Sequence, residues 1–319
     1  TVPSRYWQIA ADVISDIMFN HTFPEDGFKS EKEVVKEEIS MYEDNPKSFV
    51  IDKIYEEIFE NYKNRQTISG TREDIDRHTI DDLNDMIDTN YCFNNITVLA
   101  TGNINHEELE KFVSDYLVKY NITEEESYVT DYEEFEPHSL NGEVKKFERP
   151  DVNQTHLSFA MFGPGYDHED IPALELLVNI LGGNTSSLLY DNLREKKGLC
   201  YTIGADMETL SDVSLIIGYA GLNSQSDVIQ EITDLIAGLA DDLTEEMLED
   251  SKRYLIGMED IQTETTSSLH SLYTDKIIND DFSPVEERKN KLEKVTLEQA
   301  KEVARKYFNK ENLCFVKLN

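Results

Sequence analysis

Positive charge is scarce in this sequence: 30 lysines and arginines stand against 65 aspartates and glutamates, a formal net charge of -35. Nucleic acid and anionic membranes are thereby excluded as partners, because both would be repelled over most of the exterior. The carboxylates read first as a solvated, salt-adapted surface rather than as a specific cation-binding site. Cysteine is scarce too: Cys92, Cys200 and Cys314 are widely spaced, odd in number and without a CxxC pair. They read as small apolar residues of a reducing compartment, and a cytoplasmic location is expected. No stretch approaches the roughly 18 consecutive apolar residues of a membrane span, and no charged-then-apolar secretory leader opens the chain. An initiator Met is also lacking: Thr1-Val2-Pro3-Ser4 leads at once into a helix-like run, Tyr6 to Phe19. That is the start expected of a processed or truncated chain.

What is present suffices for globular folding. The chain has 319 residues, 39% hydrophobic, with 16 Tyr and 14 Phe, enough for two domains each with its own core. Periodicity predicts helices near 5–19, 25–44, 47–61, 79–90 and 105–119, with a strand-like run at 96–102. Residues 122–149 are rich in acids, poor in large aliphatics and contain Pro137, which predicts a boundary. Beyond it strands are predicted near 154–162, 200–209, 213–222 and 313–318, and helices near 169–181, 185–195, 225–242, 244–278 and 296–308. Strands mixed with long helices, and connections too irregular for strict βαβ alternation, indicate an α+β fold in both halves, 1–145 and 146–319. Both halves end alike. Thr79-Ile80-Asp81-Asp82-Leu83 and Thr296-Leu297-Glu298-Gln299-Ala300 read as helix caps, and each precedes an Asn-containing turn and a β-rich run. This is a repetition of pattern more than of identity, with a period of about 215 residues.

The segment Glu31-Lys32-Glu33-Val34-Val35-Lys36-Glu37-Glu38-Ile39 is the most informative. In a helix at about 100° per residue, Glu31 and Glu38 lie about 20° apart around the axis, with Val34 and Val35 between them and Met41 and Tyr42 continuing the face. Lys32, Glu33, Lys36, Glu37, Ser40 and Glu43 fall mainly on the opposite, solvated side. A carboxylate directed toward a core needs a metal ion or a cationic side chain as partner. The plainer alternative is that both glutamates pair with Lys or Arg at a helix edge.

Several segments, in order, resemble the zinc metallopeptidases of the insulinase, pitrilysin and mitochondrial processing peptidase family, which carry an inverted H-x-x-E-H motif. Glu31 to Ile39 resembles that family's downstream zinc-ligand helix, and Asp44-Asn45-Pro46 the D-x-P that follows it. Ile68-Ser69-Gly70-Thr71, Leu83, Tyr91 and Asn94-Asn95 are similar to a further motif series of the family. Gly182-Gly183-Asn184-Thr185-Ser186-Ser187-Leu188-Leu189 and Leu193-Arg194-Glu195-Lys196-Lys197-Gly198-Leu199-Cys200-Tyr201 resemble its G-G-x-x-S-x-L and L-R-E-K-x-G-L-x-Y. The resemblance implies two similar α/β-layered domains of the processing-peptidase type. It implies Glu38 as the third zinc ligand and Glu31 as the carboxylate supporting the metal site from behind. It also implies Arg194 and Tyr201 as the pair that reaches into the site and holds substrate backbone and developing oxyanion. Apart from the resemblance, Arg194 is a routine cation at a helix C-terminus and Tyr201 a half-buried strand residue.

One departure bears on function. In the family the second histidine lies about 75 residues before the ligand glutamate, whereas only 37 residues precede Glu38. None of the histidines, His21, His78, His106, His138, His156, His168 and His270, opens or closes an H-x-x-E-H. The first domain is therefore expected to lack its opening segment, and this chain to bind no zinc although the complete protein does. Three readings follow: a fragment of a zinc metalloendopeptidase acting on unstructured peptides in a closed chamber; a silent partner or scaffold lending its Arg/Tyr arm to another chain; or an unrelated acidic binding protein whose motif order is accidental. Either of the first two implies a homodimer or a heterodimer with a similar subunit.

Overall fold

The computed structural model describes residues 1–59, 62, 67–120, 134–223 and 228–319, so the acidic run 121–133 within the expected boundary lies outside the described residues. In chain order the helices are α1 (Trp7–Phe19), α2 (Glu25–Asp44), α3 (Pro46–Ile58), α4 (Arg72–Arg77), α5 (Ile80–Asn90), α6 (His106–Lys119) and α7 (Ile171–Val178). They continue as α8 (Ile229–Asp242), α9 (Glu245–Gln262), α10 (Thr266–Ile278), α11 (Glu286–Lys294) and α12 (Leu297–Tyr307). The strands are β1 (Val144–Phe147), β2 (Thr155–Pro164), β3 (Cys200–Thr209), β4 (Val213–Leu222) and β5 (Cys314–Leu318), making an α+β fold. Two compact units divide it: Thr1–Ile39, Ser69–Glu133 and Gln262–Ile277 form the first; Ser40–Ile68, Glu134–Ile261 and Ile278–Asn319 form the second.

The first unit is helical among the described residues. Its short helices start on side-chain caps: Thr71 and Asp74 form a reciprocal capping box for α4, and Thr79 and Asp82 do the same for α5. Trp7 meets Phe112 edge-on at 5.5 Å between centroids, which seats α1 on α6. Residues 96–102, expected as a strand, form no strand among the described residues. A period-2 pattern makes a strand only where a second strand takes up its backbone groups, and among the described residues none does.

The second unit is built on one five-stranded sheet of order β1-β5-β2-β4-β3. β1 runs parallel to β5, and the other neighbours are antiparallel. Alternation along β2 sends Leu157, Phe159 and Met161 into the larger core beneath α7, α8 and α12, and Ala160 and Phe162 into a second core. That second core is closed by α3, whose Val50, Ile54 and Ile58 are fully buried together with Phe59. Asn45 starts α3 by accepting from the amides of Lys47 and Ser48, and Pro46 occupies the first turn, where no amide donor is needed. Phe159 lies opposite Gly218 in the β2/β4 register, and any β-carbon at 218 would collide with the ring.

The predicted spans 200–209 and 213–222 coincide with β3 and β4. The single helix predicted over 244–278 is broken after Gln262, because Thr265 Oγ1 accepts the Ser268 amide at 3.1 Å and caps a new helix. Strand β1 escaped prediction, since Lys145 and Lys146 interrupt the apolar pattern of an edge strand. No helix of the described residues is long and apolar enough to cross a membrane.

Candidate active-site residues

The helix predicted over 25–44 is present as α2, but its buried stripe is not the predicted one. Ile39 is buried, and Phe28, Lys32, Val35 and Lys36 are half-buried along the same stripe. Lys32 Nζ donates to the carbonyls of Asp76 (3.0 Å) and His78 (2.7 Å), and Lys36 Nζ pairs with Asp76 at 2.6 Å. The two lysines thus grip the C-terminal end of α4, where carbonyls without helical partners and the helix dipole both favour cations. Their stems cover apolar surface while the ammonium groups reach polar partners. That pairing holds the Asp76 carboxyl below its ordinary range.

Glu31 and Glu38 share one face of α2 as the angular arithmetic requires, about a quarter turn from the buried stripe. Their expected inward orientation is corrected by the structure: both are exposed, with Val34 at 47% and Met41 at 63% beside them. Amphipathic arithmetic says which side chains share a face; only packing says which face is covered. Among the described residues no group of three or more His, Cys, Asp or Glu side chains is placed to hold a metal ion. An isolated carboxylate does not satisfy zinc, which takes three or four protein ligands including nitrogen or sulfur. The described residues therefore do not fit zinc unaided.

In the second unit Arg194 and Tyr201 do come together. The chain leaves α7 through a π-helical stretch, Asn179–Gly183, and re-enters helix at 188–196, π-helical over Tyr190–Lys196. A β-carbon at Gly182 would run into the backbone nitrogen of Ala205, so this glycine lets the loop lie against β3. Gly198, at φ 62°, ends the second stretch: its amide donates to the Arg194 carbonyl (3.0 Å) and the Leu199 amide to the Leu193 carbonyl (2.9 Å). This reversal delivers the chain directly into β3, whose second residue is Tyr201. The guanidinium carbon of Arg194 lies 5.4 Å from the centroid of the Tyr201 ring and 4.6 Å from that of Tyr190. Among the described residues this guanidinium makes no hydrogen bond and no ion pair, and Tyr201 is 77% exposed. Burial pushes the neighbouring Cys200 thiol up, against a smaller downward pull from the Arg194 charge. Such a pair combines unbonded guanidinium donors with an exposed phenol, a combination suited to peptide carbonyls and oxyanions.

Sequence reasoning placed Glu31, Glu38, Arg194 and Tyr201 on the elements where they stand, the first two in the first unit and the last two in the second. It missed Tyr190, although four-residue spacing from Arg194 on a helix was the available signal. It also assigned Lys32 and Lys36 to solvent.

Residues 1–72 match the family model for insulinase (peptidase family M16), and residues 77–255 match that for the peptidase M16 inactive domain. The uncharacterized zinc protease YmxG of Bacillus subtilis is 30% identical over 306 residues, spanning 95% of this chain and 73% of its own length. The uncharacterized zinc protease ML0855 of Mycobacterium leprae is 25% identical over 316 residues, covering 95% and 68%. Among solved structures, a protease from Helicobacter pylori superposes with a TM-score of 0.91 at 21% identity, covering 100% of this chain and 78% of that one. A peptidase M16 inactive domain from Pseudomonas fluorescens superposes with a TM-score of 0.88 at 18% identity, covering 99% and 75%. With one family model matched over more than half of the chain and a 30% identical relative aligned over 95% of it, this chain belongs to the insulinase family of peptidases, family M16.

Proposed function

We propose that this chain is the substrate-holding part of a zinc metalloendopeptidase that cleaves unstructured peptides in a closed chamber. In this reading Arg194 donates to a substrate backbone carbonyl, and the Tyr201 hydroxyl stabilises the oxyanion that develops at the attacked carbon. Glu38 is the oxygen ligand to zinc and Glu31 the carboxylate behind it. The histidine pair and the general base come from sequence beyond these residues, in the same polypeptide or in a partner subunit. The observation that carries the proposal is the Arg194 guanidinium lying over Tyr201 with its donors unspent, beside a highly exposed phenol. A purely structural arginine spends its donors on carboxylates, as Arg288 does on Glu175 and Glu259.

The test is to express the complete coding sequence and to measure zinc content after dialysis and hydrolysis of a quenched-fluorescent unstructured peptide. Arg194→Ala should lower kcat/KM by about 100-fold or more, the scale of losing one oxyanion donor. Glu38→Gln should weaken zinc binding, and equal zinc affinity with and without the substitution would refute the ligand assignment. Full activity in Arg194→Ala would remove the substrate arm. A zinc-free, inert product that becomes active only when mixed with a similar subunit would establish the silent-partner reading instead.

A further inference from the structure

Arg194 faces two rings that differ in how firmly they are held. Tyr201 is 77% exposed and stands on β3, the last strand of the sheet among the described residues. Tyr190 is half-buried and packs against the larger core. Its backbone follows Leu189, which is fully buried, and its segment is tied in by Leu193, 1% exposed. Of the two rings the nearer to the guanidinium is the anchored one, 4.6 Å against 5.4 Å.

An arginine has several rotatable bonds, and holding even a half-buried one such as Arg194 in a single orientation costs side-chain entropy. Ion pairing is the usual remedy, but a carboxylate partner would occupy the N–H donors that a substrate needs. Neither acid of the same helical stretch takes up the guanidinium: Asp191 pairs with Lys196 at 2.5 Å, and the exposed Glu195 makes no ion pair with Arg194. A ring face attracts the guanidinium through its quadrupole and leaves the in-plane N–H groups free. The π-helical winding over Tyr190–Lys196 carries both members of this contact. π-helical turns occur frequently at functional sites, where they re-aim side chains.

We propose that Tyr190 is a positioning residue for Arg194: its anchored ring holds the guanidinium against Tyr201 with every N–H donor available to substrate. The inference rests on the reading of Arg194 as a substrate arm. It assigns Tyr190 no contact with substrate and no part in proton transfer. What matters at position 190 is the electron-rich ring face rather than the hydroxyl.

The test varies that face without changing its shape. In the peptidase expressed from its complete coding sequence, Tyr190→Phe is expected to retain kcat/KM within about twofold. Fluorinated phenylalanines placed at 190, which keep ring volume while draining the negative face, are expected to lower kcat/KM stepwise to roughly three- to tenfold, the range of a cation–π contact. On an Arg194→Ala background the same fluorination should change nothing. In this chain itself, the Arg194 Nε–Hε NMR resonance should lose its ring-current shift in Tyr190→Leu and keep it in Tyr190→Phe. Activity indifferent to fluorination while Arg194→Ala is severely impaired overturns the positioning role and leaves the substrate arm standing. If Arg194→Ala is fully active, the substrate-arm reading itself has failed. Equal losses from fluorination with and without Arg194 would show that Tyr190 acts only through packing, which also overturns the proposal.

Discussion

Removing Arg288 should expose how the helices over the sheet are joined. Arg288, on α11, reaches Glu175 of α7 through its Nε (3.3 Å) and a terminal nitrogen (3.1 Å), and Glu259 of α9 through the other at 2.5 Å. One guanidinium therefore serves two carboxylates on two different helices. The Glu259 side chain is 1% exposed, and one of its oxygens has no hydrogen-bond partner among the described residues. Arg288→Met replaces the charge with an apolar chain of similar reach and leaves both carboxylates without a counter-charge in a low-dielectric layer. Breaking a buried pair in this way costs about 3–5 kcal/mol, but Arg288 is itself 39% exposed, so screening places the loss near the lower bound, about 3 kcal/mol. Burial already pushes the Glu175 carboxyl above its ordinary range in spite of Arg288, and without Arg288 it should move higher. A carboxylate whose folded pKa exceeds its unfolded value binds more protons folded than unfolded, so its stability contribution falls as pH rises through the carboxylate range. The deficit of Arg288→Met relative to wild type should thus be greatest near neutral pH and shrink as pH falls from neutral toward the ordinary carboxylate range. Urea titrations followed by far-ultraviolet circular dichroism at pH 7 and pH 5 measure both quantities. A deficit below about 1 kcal/mol at pH 7, or one of the same size at both pH values, would refute the reasoning.

Gly218→Ala should destabilise the sheet by about 1–3 kcal/mol, because the added methyl meets the Phe159 ring across the strand pair; Phe159→Leu should recover part of that loss in the double variant, which urea titration can measure. Cys92, Cys200 and Cys314 should all resist a maleimide until the chain unfolds. Cys314, whose thiol burial pushes up to about 12, should react slowest, and mass spectrometry of partly labelled protein would reveal the order.

The helix over 25–44, the strands over 200–209 and 213–222 and the caps at Thr79 and Thr296 were legible in the sequence, because each depends on local spacing and on side chains bonding within one turn. The same is true of the candidate residues: Glu31, Glu38, Arg194 and Tyr201 stand in ordered motifs that survive without knowledge of packing. Burial was decided elsewhere. Residues 28, 32, 35, 36 and 39 form the inward stripe of α2 because α4 offers carbonyls and Asp76 to two lysines, a long-range arrangement that no periodicity encodes. α3 closes the core of a sheet whose first strand begins at Val144, so its partners lie far along the chain. The fate of residues 96–102 depended likewise on a pairing partner rather than on their own alternation. Local chemistry was enough to name the candidate residues. Tyr190 was within reach of the four-residue spacing on one helical stretch, but that Tyr201 meets Arg194 across the Gly198 reversal, and that the guanidinium donors are left unspent, followed only from the folded path of the chain.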